Sequence, residues 1–185
     1  MTTAAIVLAA GAGSRFAGDD HKLRALFRGR AVLSWVLAAV DDAGFDHVYV
    51  VTGAARVDDL VGRHHTVVVN DRWADGQATS LAAGLDAAEA AGHRAVVIGL
   101  GDQPLVPAAA WRSVAAATGP IVTASFDGAR RPPVKLDAEV WPDVDRTGDF
   151  GARELLRRRP ELVSEVACTG NPVDIDTVED LRKWS

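Results

Sequence analysis

Short apolar runs of strand length alternate along this chain with longer segments whose apolar residues recur at helical spacing, and that alternation admits few architectures. Ala4-Ala5-Ile6-Val7-Leu8-Ala9-Ala10 is apolar without polar alternation, the pattern of a strand covered on both faces. His47 to Val51, Thr66 to Val69, Arg94 to Leu100 and Pro120 to Ala124 read as further strands. Between them, Val32, Leu33, Val36, Leu37 and Val40 share one helical face that closes near Gly44. Gln77 to Ala91 is an Ala/Leu helix ending at Gly92, and Ala108 to Ala117 is a third helix. Strands joined through helices imply right-handed crossovers. The expected fold is therefore α/β: a three-layer, Rossmann-like, open and mostly parallel sheet with helices on both faces. The last third differs. The Pro132-Pro133 pair is expected to interrupt any regular element, with a short strand at Val134-Lys135-Leu136, a helix over Arg153 to Arg158, a strand over Val163 to Val166 and a closing helix over Val178 to Trp184.

The length of 185 residues suits one compact unit, so residues 1–185 are read as a single domain. A hydrophobic content of 48% excludes a disordered chain, and the net charge of −5 removes the broad basic surface that nucleic-acid binding needs. Cys168 stands alone, which rules out an internal disulfide or a zinc ribbon and points to a reducing compartment. The apolar opening is far short of the roughly 20 residues of a membrane span. Arg15 lies behind that opening rather than ahead of it, unlike the basic region of a signal peptide. The sequence thus reads as a soluble, cytoplasmic protein with neither nucleic acid nor membrane as a partner.

In an open α/β sheet the ligand-binding residues follow the carboxyl ends of strands. The first strand runs into Gly11-Ala12-Gly13-Ser14-Arg15-Phe16, with Lys22 further on. Glycines let backbone N–H groups close on an anion, and Arg15 and Lys22 add cationic donors for phosphate oxygens. Two common phosphate motifs fail here. A dinucleotide fingerprint wants glycine at Phe16 and an acid where Thr52-Gly53 stands, and a Walker loop wants Ser or Thr where Leu23 follows Lys22. The fourth strand ends in Gly101-Asp102-Gln103-Pro104, placing a carboxylate at the binding edge, where it suits Mg²⁺ shared with phosphates. Asp174 and Asp176, two residues apart, point to one face of an extended segment, and either can complete a site with Asp102. Thr177 and Asp180 form a capping-box pattern that leaves Asp176 free.

Together these stretches resemble the nucleotidyltransferases of the molybdenum-cofactor type, and most nearly the CTP:molybdopterin cytidylyltransferase branch. Gly76-Gln77-Ala78-Thr79-Ser80-Leu81 is similar to that family's Gly-x-x-x-Ser-Leu stretch, and Gly148-Asp149-Phe150-Gly151-Ala152-Arg153 to its Gly-Asp-x-Gly-Ala-Arg. The resemblance implies the nucleotide-diphospho-sugar transferase type of fold and a Mg²⁺-dependent transfer of CMP from CTP to a phosphorylated acceptor such as molybdopterin. It implies that Leu8, Ala9, Ala10, Gly11, Ala12, Gly13, Ser14, Arg15 and Lys22 hold the triphosphate, joined by Gly76, Gln77 and Ser80 near base and ribose. Arg15, Lys22 and Asp102 are then catalytic, Asp102 and Asp176 hold the metal, and Asp149, Arg153 and Pro133 face the acceptor. A molybdoenzyme or its chaperone would receive the product. Two features depart from the family pattern: the long stretch Ala17 to His21 before Lys22, and Arg130 to Leu136 in place of Gly-x-Pro-Val-Leu-Phe. Guanylyl transfer, sugar- or polyol-phosphate nucleotidyl transfer and a non-catalytic accessory role remain as alternatives. Ala9-Ala10-Gly11 resembles the cytidylyl branch, since the guanylyl branch shows Ala-Gly-Gly there.

Other residues read as structural. His64-His65 opens a strand with no partner at ligand spacing and is expected to be a solvated edge. Cys168 has nothing nearby to lower its pKa, Trp35 and Trp184 fall on apolar helix faces, and Arg157-Arg158-Arg159 reads as a solvated helix end. Trp73 and Trp111 lie beside presumed ligand loops and could serve either core or site.

Overall fold

The computed structural model describes residues 2–18 and 20–185. Its sheet contains β1 (Thr3–Ala9), β4 (Val48–Thr52), β5 (Thr66–Val69), β6 (Ala95–Leu100), β7 (Ile121–Phe126), β8 (Ala129–Asp137) and β9 (Val163–Ala167) in the order β5-β4-β1-β6-β8-β7-β9. The helices are α1 (Val32–Ala43), α2 (Gln77–Ala90), α3 (Ala108–Ala116), α4 (Ala152–Arg158) and α5 (Val178–Trp184). A two-stranded hairpin, β2 (Leu26–Phe27) with β3 (Arg30–Ala31), precedes α1 and turns on Arg28 and Gly29, both at positive φ.

Strict alternation along the strands builds two cores. On one face Ala5, Val7, Val50, Val97 and Val122 pack beneath α1 and α3, and on the other Ala4, Ile6, Val51, Val96 and Leu136 pack beneath α2 and α4. Both faces of β1 are therefore dry, which is why its sequence carries no polar alternation. Trp111 is 1% exposed and lies against Gly99, where a Cβ would come within 2.3 Å of its ring, so it belongs to the core. The chain winds outward from β1 to β4 and β5, then returns to β6 on the other side of β1. The loops after β1 and β6 consequently diverge from a switch point, the place where open α/β sheets form a ligand crevice.

The sheet is parallel apart from β8, which runs antiparallel to both β6 and β7. Here the expectation is corrected: the proline pair does not end the element, and β8 spans nine residues across it. The register supplies the reason. Val134, Lys135 and Leu136 pair with β7, then the pairing skips to Arg131, Arg130 and Ala129 opposite Ala124, Ser125 and Phe126. Pro132 and Pro133, which have no N–H to donate, fall at the irregularity where no rung requires one. Among the described residues no helix is long and apolar enough to cross a membrane.

Candidate active site

Three segments distant in sequence meet at the carboxyl edge of β1 and β6. Gly101 N–H donates to the Leu8 carbonyl at 2.9 Å, tying the loop after β6 to the end of β1. The segment before α5 is pinned beside it: Ile175 is fully buried, and its N–H donates to the Asp102 carbonyl at 2.9 Å. With Ile175 turned inward, its neighbours Asp174 and Asp176 flank the site. The Lys22 ammonium donates to Asp102 Oδ2 and, at 2.8 Å, to Asp176 Oδ1. The Arg15 guanidinium reaches Asp176 Oδ2 at 2.9 Å. The capping box holds as read: Asp180 N–H donates to Thr177 Oγ1 at 3.1 Å and Thr177 N–H to Asp180 Oδ2 at 2.9 Å, leaving the Asp176 carboxylate to the site.

Charge balance follows from this packing. Burial alone would push the Lys22 ammonium down, but the Asp102 charge and the hydrogen bonds it donates to both carboxylates outweigh it and hold its pKa above the ordinary value. Asp174 is tied to Gln103, whose Nε2 donates to its Oδ1 at 2.9 Å. Burial, then the nearby Asp102 charge, raise its pKa. Asp102 Oδ1 is buried without a hydrogen-bond partner. A buried carboxylate oxygen lacking a donor, with a second carboxylate on the same ammonium, is a hard oxygen set that fits a divalent cation such as Mg²⁺ or Mn²⁺. Asp102 and Asp176 are the residues that would hold it.

Beside this cluster opens a cleft of about 620 Å³. Leu8, Gln103 and Asp174, which adjoin the carboxylate cluster, line it together with Gln77, Pro132, Asp149, Phe150 and Arg153. Gly76, directly before Gln77, has a φ of +105° and a contact with the Gly148 backbone that exclude a Cβ.

The MobA-like NTP transferase domain matches residues 5–163. The chain belongs to that family. Nicotine blue oxidoreductase of Paenarthrobacter nicotinovorans is 32% identical, over 96% of this chain and 94% of its own length. A nucleotidyl transferase from Methanothermobacter thermautotroptrophicus superposes with a TM-score of 0.84 at 27% identity, covering 98% of this chain and 95% of that one. The manganese complex of Rv0371c from Mycobacterium tuberculosis superposes with a TM-score of 0.82 at 27% identity, covering 100% of this chain and 98% of that one.

Arg15, Lys22 and Asp102, within the matched residues, form one connected cluster with Asp176, which lies beyond them, and Leu8, Gln77, Asp149 and Arg153 share the adjoining cleft. Gly11, Ala12 and Ser14 lie exposed on the loop above, whereas Ala9 and Ala10 are 2% and 3% exposed and can offer only backbone. Ser80 is 4% exposed, and its hydroxyl accepts from Asn70 Nδ2 at 2.9 Å, so it braces the start of α2 from within. Pro133 is corrected: it is buried in β8, and its neighbour Pro132 lines the cleft instead, at the irregularity in the β7–β8 pairing.

His64-His65 is corrected as well. His65 has only 2% of its side chain exposed, and its Nε2 lies 2.7 Å from Asp41 Oδ1, with His64 Nε2 3.1 Å from the same oxygen. The partner sits on α1, out of reach of local spacing. Nδ1 of His65 is buried without a partner. A metal on Nε2 would leave that nitrogen with an orphaned proton, whereas metal-bound histidines pass theirs to an acceptor, so the trio reads as a clamp between α1 and β5. Arg157, Arg158 and Arg159 each meet a carboxylate, and burial pushes the Cys168 thiol up, away from reactivity.

Sequence reasoning missed His21. Its Nε2 lies 3.0 Å from the Gly11 carbonyl and its Nδ1 accepts from Leu23 N–H at 3.3 Å, so only the neutral Nε2–H tautomer satisfies both. Gly13, at φ +62°, has no side chain to collide with the ring, which bridges the Gly-rich loop and the Lys22 turn. No motif flags it, but it closes the long stretch that departs from the family pattern. Burial depresses its pKa below 6.5, ahead of the smaller lowering by Lys22 and the opposing effects of the Gly11 and Ala12 carbonyls and Asp20. A depressed folded pKa gives a contribution that is complete above 6.5 and is lost as pH falls through the folded value. Thermal melts from neutral pH to about pH 5 should show the wild type losing stability relative to His21→Gln. Parallel curves would contradict the bridging role.

Proposed function

We propose that this protein transfers CMP from CTP to the phosphate of an acceptor, molybdopterin, with Mg²⁺ and release of pyrophosphate. The observation that carries the reading is Lys22 held between Asp102 and Asp176 at the foot of the Gly-rich loop. Loop N–H groups with Arg15 and Lys22 bind and orient the triphosphate, and the cleft beside them receives the acceptor. An acceptor phosphate oxygen forms a bond to the α-phosphorus as the bond to pyrophosphate breaks, and a nucleophile already anionic needs no general base. The bound cation, held by Asp102 and Asp176, would neutralise phosphate charge during this exchange. A cytoplasmic setting, and delivery of the product to a molybdoenzyme or its chaperone, belong to the same reading.

The name of the Paenarthrobacter relative supports a second reading, an oxidation–reduction in the same cleft. Phe16 and Thr52 stand where a dinucleotide fingerprint needs glycine and an acid, which favours the triphosphate. The test is pyrophosphate release with molybdopterin and Mg²⁺, run with CTP and with GTP, beside an assay for NADH or NADPH consumption. CTP-dependent pyrophosphate release is expected. A clear GTP preference removes the cytidylyl assignment, and nicotinamide oxidation without pyrophosphate removes nucleotidyl transfer.

A further inference from the structure

Four arginines and two aspartates line the cleft, and their pairing separates them into two groups. Arg130 is held by Glu165 at 2.8 Å and Arg157 by Glu154 at 2.7 Å, so both guanidiniums are already neutralised within the chain. Of the acids, Asp174 is engaged by Gln103. Arg131 and Arg153 differ from the other arginines: among the described residues neither has a carboxylate within ion-pair distance. Arg131 donates only to a backbone carbonyl, that of Arg130, at 3.3 Å.

The two unpaired cations stand on different walls. Arg153 lies in the first turn of α4. Arg131 lies on β8, where the β7–β8 pairing resumes after the irregularity. Because Val134 pairs antiparallel with Ile98, the chain before Val134 runs toward the carboxyl end of β6, the end that carries Asp102. Thr123 Oγ1 donates to the Arg131 carbonyl at 3.3 Å, fixing the backbone that carries this side chain. Between the walls the lining is aliphatic, with Leu8, Leu81, Ile98, Leu100, Val134 and Leu156.

We propose that Arg131 is a specificity-determining residue which, together with Arg153 of the same cleft, binds the phosphate of an acceptor whose body is apolar or aromatic. The inference rests on the nucleotidyl-transfer reading and deepens it. It selects phosphomonoesters over alcohols, because a phosphate gains charge-assisted hydrogen bonds from both guanidiniums that a neutral hydroxyl cannot accept with comparable strength. The aliphatic lining takes the rest of the molecule, and Arg131 belongs to the segment that replaces the family's Gly-x-Pro-Val pattern. In the transfer itself the bound phosphate contributes the oxygen that bonds to the α-phosphorus, and pyrophosphate carries away the displaced oxygen and its electron pair.

The test uses 1-naphthyl phosphate and 1-naphthol as probes, titrated calorimetrically into the full chain with Mg²⁺ and CTP present. Naphthyl phosphate should bind the wild type, and naphthol should bind at least about tenfold more weakly. Arg131→Ala should weaken naphthyl phosphate about 10- to 100-fold and Arg131→Lys less, while CTP affinity stays as in the wild type. Both substitutions lie at an exposed position, and circular dichroism confirms folding. Unchanged naphthyl phosphate affinity in Arg131→Ala, or equal binding of naphthol, overturns the role of Arg131 while leaving CTP binding intact. Absence of CTP binding in the wild type instead overturns the nucleotidyl-transfer reading beneath it.

Discussion

Replacing Lys22 with methionine is expected to slow turnover about 100- to 1000-fold, the loss typical of removing one preorganised donor from a developing negative charge. Methionine retains much of the aliphatic stem, so the packing beneath the loop persists and the charge is what is removed. A second consequence separates this residue from a simple surface cation. The ammonium is the shared partner of Asp102 and Asp176, and without it two carboxylates face each other while Asp102 Oδ1 already lacks a donor. Thermal stability without a divalent cation should fall, and the gain on adding Mg²⁺ should exceed that of the wild type, because the cation then neutralises an otherwise uncompensated pair. Pyrophosphate release and melting curves with and without Mg²⁺ read both effects. Turnover within a few-fold of the wild type would remove Lys22 from the chemistry.

Gly76→Ala is expected to be the most damaging single-methyl change near the site. The residue's φ of +105° is a conformation that side chains resist, and an added Cβ would lie 2.4 Å from the Gly148 carbonyl oxygen. That contact is backbone on both sides and is locked by two further hydrogen bonds. Ala78 N–H donates to Gly148 O at 2.9 Å and Gly148 N–H to Asp75 O at 3.2 Å. No flexible side chain can move aside, so strain and overpacking add to about 2–4 kcal/mol. For a chain of this size that is a fall of roughly 4–16 °C in Tm. Gly92→Ala provides the control, since Gly92 has a φ of +80° but open space around it and should lose only about 1–2 kcal/mol. Equal losses in the two variants would mean that the Gly148 contact is not a constraint.

Features set by local pattern were legible in the sequence. Runs without polar alternation mark β1 and β6 because both faces of those strands are covered, and the rule that ligands gather past such strands leads directly to the Gly-rich loop and Asp102. The Thr177–Asp180 box reads correctly because it is set by local spacing. Features set by distant partners were not legible. The proline pair looks like a strand breaker until the register shows that β7 skips the positions where N–H groups are missing. His65 looks solvated until α1 brings Asp41 beside it, and no local pattern shows that Asn70 reaches the Ser80 hydroxyl. His21 carries no periodic or motif signal, since its two backbone partners exist only once the loop has folded over it.

On the proposed reading Lys22, Asp102 and Asp176, gathered under the Gly-rich loop, form a site for a metal-bound nucleoside triphosphate. Calorimetric titration of CTP into the wild-type protein, with Mg²⁺ and then with Mg²⁺ chelated, addresses it most directly. Saturable binding that weakens at least about tenfold on chelation is the predicted result. Binding of equal strength with and without the cation, or none in either case, would contradict the account.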